Sequence, residues 1–199
     1  MSETLAFNKW STAGIKIEDP GLVTYVNLDA RFVPKTGATY AGNKFHKSKT
    51  FIVERLMNKL MVPGHKSKKH WRSSGHTTGK AAHTYTVVFE TFKLIEQKLK
   101  KNPVEVFVKA VENGAPREEI VAIEYGGARY PKATECAPQR RVDTVLRHFV
   151  QGAYQKSFNA KKTLVQTLAD EIILTYQLSP NSVAIAKKNE LERQADSSR

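Results

Sequence analysis

After residue 50, apolar residues recur at three- and four-residue spacing, and that period predicts helices. Phe51, Ile52, Leu56 and Leu60, with Arg55 and Lys59 on the same repeat, mark a short helix over 51–61 that Pro63-Gly64 stops. Tyr85, Val88, Phe89, Phe92, Ile95 and Leu99 form the stripe of a longer helix over about 80–100. Asn102-Pro103-Val104-Glu105 is a helix start. Asn102 can cap, Pro103 suits the first turn, and Glu105 sits three residues after the cap. Val104, Phe107, Val108 and Val111 continue that helix to Asn113-Gly114. Over 140–157, Val142, Val145, Leu146, Phe149 and Ala153 share one side, while Arg140, Arg147, His148, Gln151 and Gln155 share the other. Asn159 is the expected cap of a helix to about Gln177, with Val165, Leu168, Ala169, Ile172 and Tyr176 as its stripe. Pro180 breaks the chain, and a last short helix is expected over Lys187 to Gln194.

One unit departs from the helical period. Ile120 to Tyr125 is β-rich, Tyr130 to Ala137 can be extended, and Gly126-Gly127-Ala128-Arg129 between them is a tight-turn composition. The expectation is a β-hairpin at about 117–139, bracketed by Pro116 and Pro138. An isolated two-stranded ribbon has little core of its own, so a projecting one is usually kept to reach something. With Gly126 and Gly127 making the tip, Arg129 and Tyr130 are the candidates for contact with RNA or another protein. Residues 1–50 read as an N-terminal extension in which Leu22 to Leu28 forms one strand, 35–50 is irregular and basic, and Phe7, Trp10 and Tyr25 argue that part of it docks. The predicted fold is mainly α: a bundle of about six helices over 51–199, one projecting β-hairpin, and a basic, mostly irregular extension over 1–50.

Charge sharpens this picture. Among 199 residues, 32 Lys and Arg face 19 Asp and Glu, a formal net charge of +13 with a pI near 9.8. That imbalance points to an anionic partner, most often nucleic acid. It is also uneven: between Asp29 and Glu90 the only acid is Glu54, against twelve Lys and Arg. The extension contributes Lys44, Lys47 and Lys49, the first helix Lys59, and the following loop Lys66, Lys68, Lys69 and Arg72, with Lys80 after it. Such side chains neutralise phosphates and release counterions. Trp71 and His70 are candidates to stack on unpaired bases. The Arg140, Arg147 and His148 face is expected to track phosphates.

Other chemistries find little support. Cys136 is the sole cysteine, so no intramolecular disulfide forms, which fits a reducing compartment. No apolar run approaches the roughly 20 residues that span a bilayer, and Met1 to Leu5 lacks a long apolar signal region; a soluble intracellular protein is expected. His65, His70, His76 and His83 lie close in sequence, but no thiolate accompanies them, and no metal or cofactor is expected. The run Gly75 to Ala81 departs from the phosphate-loop spacing, and no nucleophile-elbow motif is present. An RNA-processing enzyme using His148 or the His65–His83 group would lack paired carboxylates. The alternative that stays open is a free-standing RNA- or DNA-binding regulator.

Several segments match one family in order: Phe51 to Met61, Pro103 to Pro116, Gly126 to Tyr130, Pro138 to Arg141, Leu146 to His148, and Glu190 to Ala195. Over about 51–199 the chain resembles the universal small-subunit ribosomal protein seven family. Its long N-terminal part and Ser-Ser-Arg ending resemble the archaeal and eukaryotic branch. The resemblance implies a helical bundle with one long hairpin and no catalysis. It implies primary binding to a multi-helix junction in the 3′ domain, or head, of small-subunit ribosomal RNA, beside other proteins of the head and platform. The site would be cytoplasmic, in the ribosome, near the mRNA exit path and the exit-site tRNA. By the same resemblance Lys59, Lys66, Lys68, Lys69, Arg72, Arg140, Arg141 and Arg147 would face RNA, and the tip from Gly126 to Tyr130 would point toward the tRNA side. The chain departs from bacterial-type hairpins, which are richer in Arg. Strand 120–125 is apolar with Glu118, Glu119 and Glu124 nearby, which points it toward packing or protein contact.

Overall fold

The computed structural model describes residues 4–39, 41–63 and 79–199, and the backbone of 65–66 and 69–70. Among these residues there are six α-helices: α1 Ile52–Leu60, α2 Ala81–Leu99, α3 Pro103–Gly114, α4 Pro138–Ser157, α5 Leu164–Tyr176 and α6 Val183–Asp196. Two short strands, β1 His65–Lys66 and β2 Lys69–His70, pair antiparallel where a loop was expected. Two long ones, β3 Glu118–Tyr125 and β4 Ala128–Glu135, make the hairpin.

Helix α5 runs through the centre and packs on α2, α3 and α4. Its Leu168, Ala169 and Ile172 are fully buried. A file of rings crosses the bundle, from Phe92 to Phe107 (5.8 Å between centroids) to Phe149 (6.3 Å). Side chains of this size contribute roughly 1.5–3 kcal/mol each when buried, so the stripes visible in the sequence account for the bundle.

Helix starts follow side-chain chemistry. Asn102 Oδ1 accepts from Val104 N–H (3.0 Å), as its position before Pro103 predicts. The expected cap at Asn159 is not used: that residue sits in a left-handed turn (φ 53°), and Thr163 caps α5 in a reciprocal box with Gln166. Helix α6 begins at Val183, ahead of the expected Lys187, because Ser182 Oγ accepts from Ile185 N–H and Ala184 and Ile185 are buried. Beneath that start lies a fully buried carboxylate. Glu171 Oε1 accepts from Ser182 Oγ (2.7 Å) and Ala184 N–H (3.1 Å), and Oε2 accepts from Lys156 Nζ (2.7 Å). Gly152 of α4 lets α6 approach: a Cβ there would meet Val183 Cβ at 3.0 Å.

The extension joins the same core. Phe7 and Trp10 are buried against Tyr85, Phe89 and Phe92 of α2. Leu22 to Leu28 is not a strand. Leu22 and Val26 are both buried one helical turn apart, and Val26 N–H donates to Leu22 C=O (3.0 Å). Asp19 starts this turn, its Oδ1 accepting from Gly21 N–H (2.9 Å). The nearest thing to a strand is a single parallel bridge between Asn27 and Phe51.

The hairpin pairs Glu118 with Glu135 through Tyr125 with Ala128. Its turn is tighter than the four-residue tip expected. Gly126 and Gly127 alone close it with φ of 60° and 81°, the left-handed pair of a type I′ turn, and Ala128 and Arg129 belong to β4. The base of β3 rests on α6, whereas residues 121–132 stand exposed.

Candidate nucleic-acid interface

Three pieces of chain that are far apart in sequence line one groove of about 480 Å³. They are residues 35–38, 46, 47 and 50 of the extension, one side of α1, and Asp143, Leu146 and Arg147 of α4. Lys35, His46, Lys47, Lys59 and Arg147 converge there. Burial pushes the Lys59 ammonium below the usual lysine range, and the nearby Arg147 and Lys47 charges push the same way against Asp143. Crowded cations of this kind are relieved by an anion entering between them. Among the described residues no carboxylate forms an ion pair with Lys59 or Arg147, whereas Lys47 reaches Asp143 at 3.1 Å. Lys80 is exposed beside Ala81, which also lines the groove, and Lys44 and Lys49 are exposed on the extension.

Other basic residues serve the fold. Arg55 in α1 is buried, donating to Tyr25 C=O (2.9 Å) and pairing with Asp143 (3.0 Å). Arg141 is also buried. It donates to Pro116 C=O (3.0 Å) and to Asp19 Oδ2 (2.6 Å), and that bond holds the Asp19 carboxyl below its ordinary value. Buried and bonded to Pro116 and Asp19, Arg141 anchors the extension to α4 and is not presented to a partner at the surface. Arg140 is exposed but donates to Glu119 Oε2 (2.6 Å), tying α4 to the hairpin base. Acids tie the extension down as well: besides Asp19, Glu54 and Glu112 each find a partner in it. Glu54 Oε1 accepts from Thr36 N–H (2.7 Å) and Oγ1 (2.6 Å), and Glu112 Oε1 from Glu18 N–H (2.6 Å).

His148 also departs from the expectation. It is half-buried, with Nε2 sealed from solvent and unpaired among the described residues. Burial lowers its pKa to about 4, with Arg147 and Lys187 adding to the shift, so the ring is neutral near pH 7 and supplies no cation. Burial likewise pushes the Cys136 thiol up to about 11, with Glu119 adding to it. Among the described residues no three His, Cys, Asp or Glu side chains gather as metal ligands. No helix there is long and apolar enough to cross a membrane.

At the hairpin tip Tyr125 is 81% exposed and Tyr130 57%. Arg129 reaches back across the ladder to Glu124 (3.6 Å), and Gly126 and Gly127 present bare backbone. Lys68, Trp71, Arg72 and His76 lie outside the described residues, as do the side chains of His65, Lys66, Lys69 and His70.

A helical bundle with a basic groove and a bare projecting hairpin has the features of a binding protein for an anionic polymer. Comparison with known proteins names the family. The family described as ribosomal protein S7p/S5e matches residues 26–199. A small ribosomal subunit protein uS7 of Nanoarchaeum equitans (strain Kin4-M) is 47% identical over 193 residues, covering 97% of this chain and 98% of that protein. Proteins of the same name from Archaeoglobus fulgidus (43% over 197 residues) and Picrophilus torridus (42% over 197 residues) each cover 99% of this chain, and the chain covers 96% and 100% of them. The chain therefore belongs to the ribosomal protein S7p/S5e family, a structural and non-enzymatic one.

Proposed function

We propose that this chain is a structural constituent of the small ribosomal subunit, working in the cytoplasm within the ribosome. It binds the 3′ domain of small-subunit ribosomal RNA and organises assembly of the head. The groove carries the reading. Extension, α1 and α4 meet there so that Lys35, Lys47, Lys59 and Arg147 face one space. A multi-helix RNA junction brings phosphates of several strands together, and separately anchored cations hold that arrangement without chemistry. Contacts to phosphate set position, while RNA shape sets specificity. The hairpin, mounted on α6 and braced by Arg140, extends the molecule toward the mRNA exit path, the exit-site tRNA and a neighbouring head or platform protein. The loop cations Lys66, Lys68, Lys69 and Arg72 add to the same interface.

The test is binding to a 3′-domain RNA fragment across a salt series, with tRNA as competitor. Nanomolar binding that survives competitor is expected. The variant K35A/K47A/K59A/R147A is expected to keep its fold, lose affinity by orders of magnitude and flatten the salt dependence by about three units of slope, at roughly 0.7–0.9 per phosphate contact. Equal, salt-labile binding to every RNA would overturn the junction assignment and favour a free-standing regulator.

A further inference from the structure

Two phenylalanines of the extension stand in solvent where nothing in the helical bundle needs them. Phe32 is 59% exposed and Phe45 is 63% exposed. Neither is loosely tethered. Phe45 sits in the left-handed region (φ 55°), an unfavourable conformation for a residue with a Cβ, and its carbonyl accepts from both Ser48 N–H (3.0 Å) and Ser48 Oγ (2.6 Å). Phe32 lies just before Pro34, which is buried, and Thr36, which is latched to Glu54. The backbone is thus held while the rings are presented.

Their surroundings say what they meet. Between Asp29 and Glu54 the chain has no acid and five cations: Arg31, Lys35, Lys44, Lys47 and Lys49. All five are exposed, and Arg31 and Lys44 are next to the rings in sequence. A protein-docking core favours contiguous apolar area and is depleted in lysine. Phe45 stands alone between Lys44 and Lys47, and Phe32 with only the exposed Val33 beside it between Arg31 and Lys35; such small apolar groups flanked by cations are the composition of a surface on which unpaired bases stack while phosphates are neutralised. Both rings also lie within three residues of groove-lining cations, Lys35 for Phe32 and Lys47 for Phe45. We propose that Phe32 and Phe45 are stacking platforms for unpaired RNA bases next to the phosphate-binding groove, with Arg31, Lys35, Lys44 and Lys49 holding the adjoining phosphates. The inference rests on the RNA-binding reading above and adds a base-contacting surface to it.

The experiment compares the full-length chain with F32L/F45L and F32Y/F45Y. Leucine keeps apolar bulk but loses the π-face, and tyrosine keeps the π-face. The 3′-domain fragment is the probe, titrated across a salt series. The leucine pair is expected to bind about tenfold or more weaker with an unchanged salt slope, since no phosphate contact is removed. The tyrosine pair is expected to bind as the parent does. In F45W, indole fluorescence beyond that of the parent chain should be quenched on adding RNA. Should the leucine pair melt at a lower temperature, the tyrosine pair and the fluorescence change decide. A leucine pair that binds with parental affinity at every salt, with no fluorescence change in F45W, overturns the inference and assigns the rings to a protein neighbour. A parent chain that fails to bind the fragment overturns the RNA reading itself, and the inference with it.

Discussion

Replacing Glu171 with alanine tests whether one buried carboxylate seats the last helix. Three bonds end on it, and they are not equal. Ser182 Oγ also touches Thr175 Oγ1 (2.7 Å), so it can redirect its proton. Lys156 is 38% exposed at its side chain, so water can take over its ammonium. Ala184 N–H has neither option in its buried site, and an unmade buried bond costs about 1–3 kcal/mol. Truncating a fully buried side chain adds a cavity penalty of roughly 1–2 kcal/mol. The sum is roughly 2–5 kcal/mol, which at about 2–4 °C per kcal/mol for a chain of this size lowers Tm by roughly 4–20 °C. Glu171→Gln keeps the shape and the Oε1 acceptor and is expected to lose about half as much or less. Urea and thermal melts followed by circular dichroism read the stability. Hydrogen exchange over 183–196 reads whether α6 opens first. A Glu171→Ala protein within about 0.5 kcal/mol of the parent, or with α6 amides as protected as before, would refute the reasoning.

Three further outcomes follow from the packing and the titrations. Gly152→Ala drives a Cβ into Val183 at 3.0 Å and is expected to cost about 1–3 kcal/mol, whereas Gly42→Ala, with nothing within 4 Å and no positive φ, should be near neutral in the same melts. His148 has a depressed folded pKa, so its contribution is complete above its unfolded value near 6.5 and is lost as pH falls toward about 4; Tm plotted against pH should slope downward in that window and flatten there in His148→Gln. The Cys136 thiol, buried and raised to about 11, should resist maleimide at pH 7.5 in the native protein and react at once in denaturant; fast native labelling would show that the hairpin base opens.

The bundle was legible because its signals are local. Val104, Phe107, Val108 and Val111 announce α3 by spacing alone, and Asn102 beside Pro103 marks its start. The hairpin was legible from Gly126-Gly127, although two adjacent left-handed residues close it more tightly than the four-residue composition implied. The extension misled because alternation and helical spacing coincide over short runs: Leu22 and Val26 fit either. The start of α5 misled because Asn159 and Thr163 are both good caps, and only the Gln166 partner distinguishes them. The interface was read less well than the fold. Charge locates a basic surface, but sequence does not say which cations are already engaged. Arg55, Arg140, Arg141 and Arg147 look alike in one dimension. The difference lies in Asp143, Glu119 and Asp19, carboxylates brought from distant segments, which among the described residues leave Arg147 without such a partner.

The stitching of the extension also sets an order in time. Its residues are synthesised first, yet its partners come late: Tyr25 waits for Arg55, Glu18 for Glu112 94 residues on, and Asp19 for Arg141 122 residues on. At roughly 5–20 residues per second, the first segment spends on the order of ten seconds outside the tunnel before its last clasp exists. Until α2 is made, Phe7 and Trp10 have nothing to bury against, and even after it the extension lacks its clasps to α3 and α4. Closure of this leader onto α4 cannot precede synthesis of Arg141. Until then the extension is open to capture, and early binding to RNA would compete with its docking on the core.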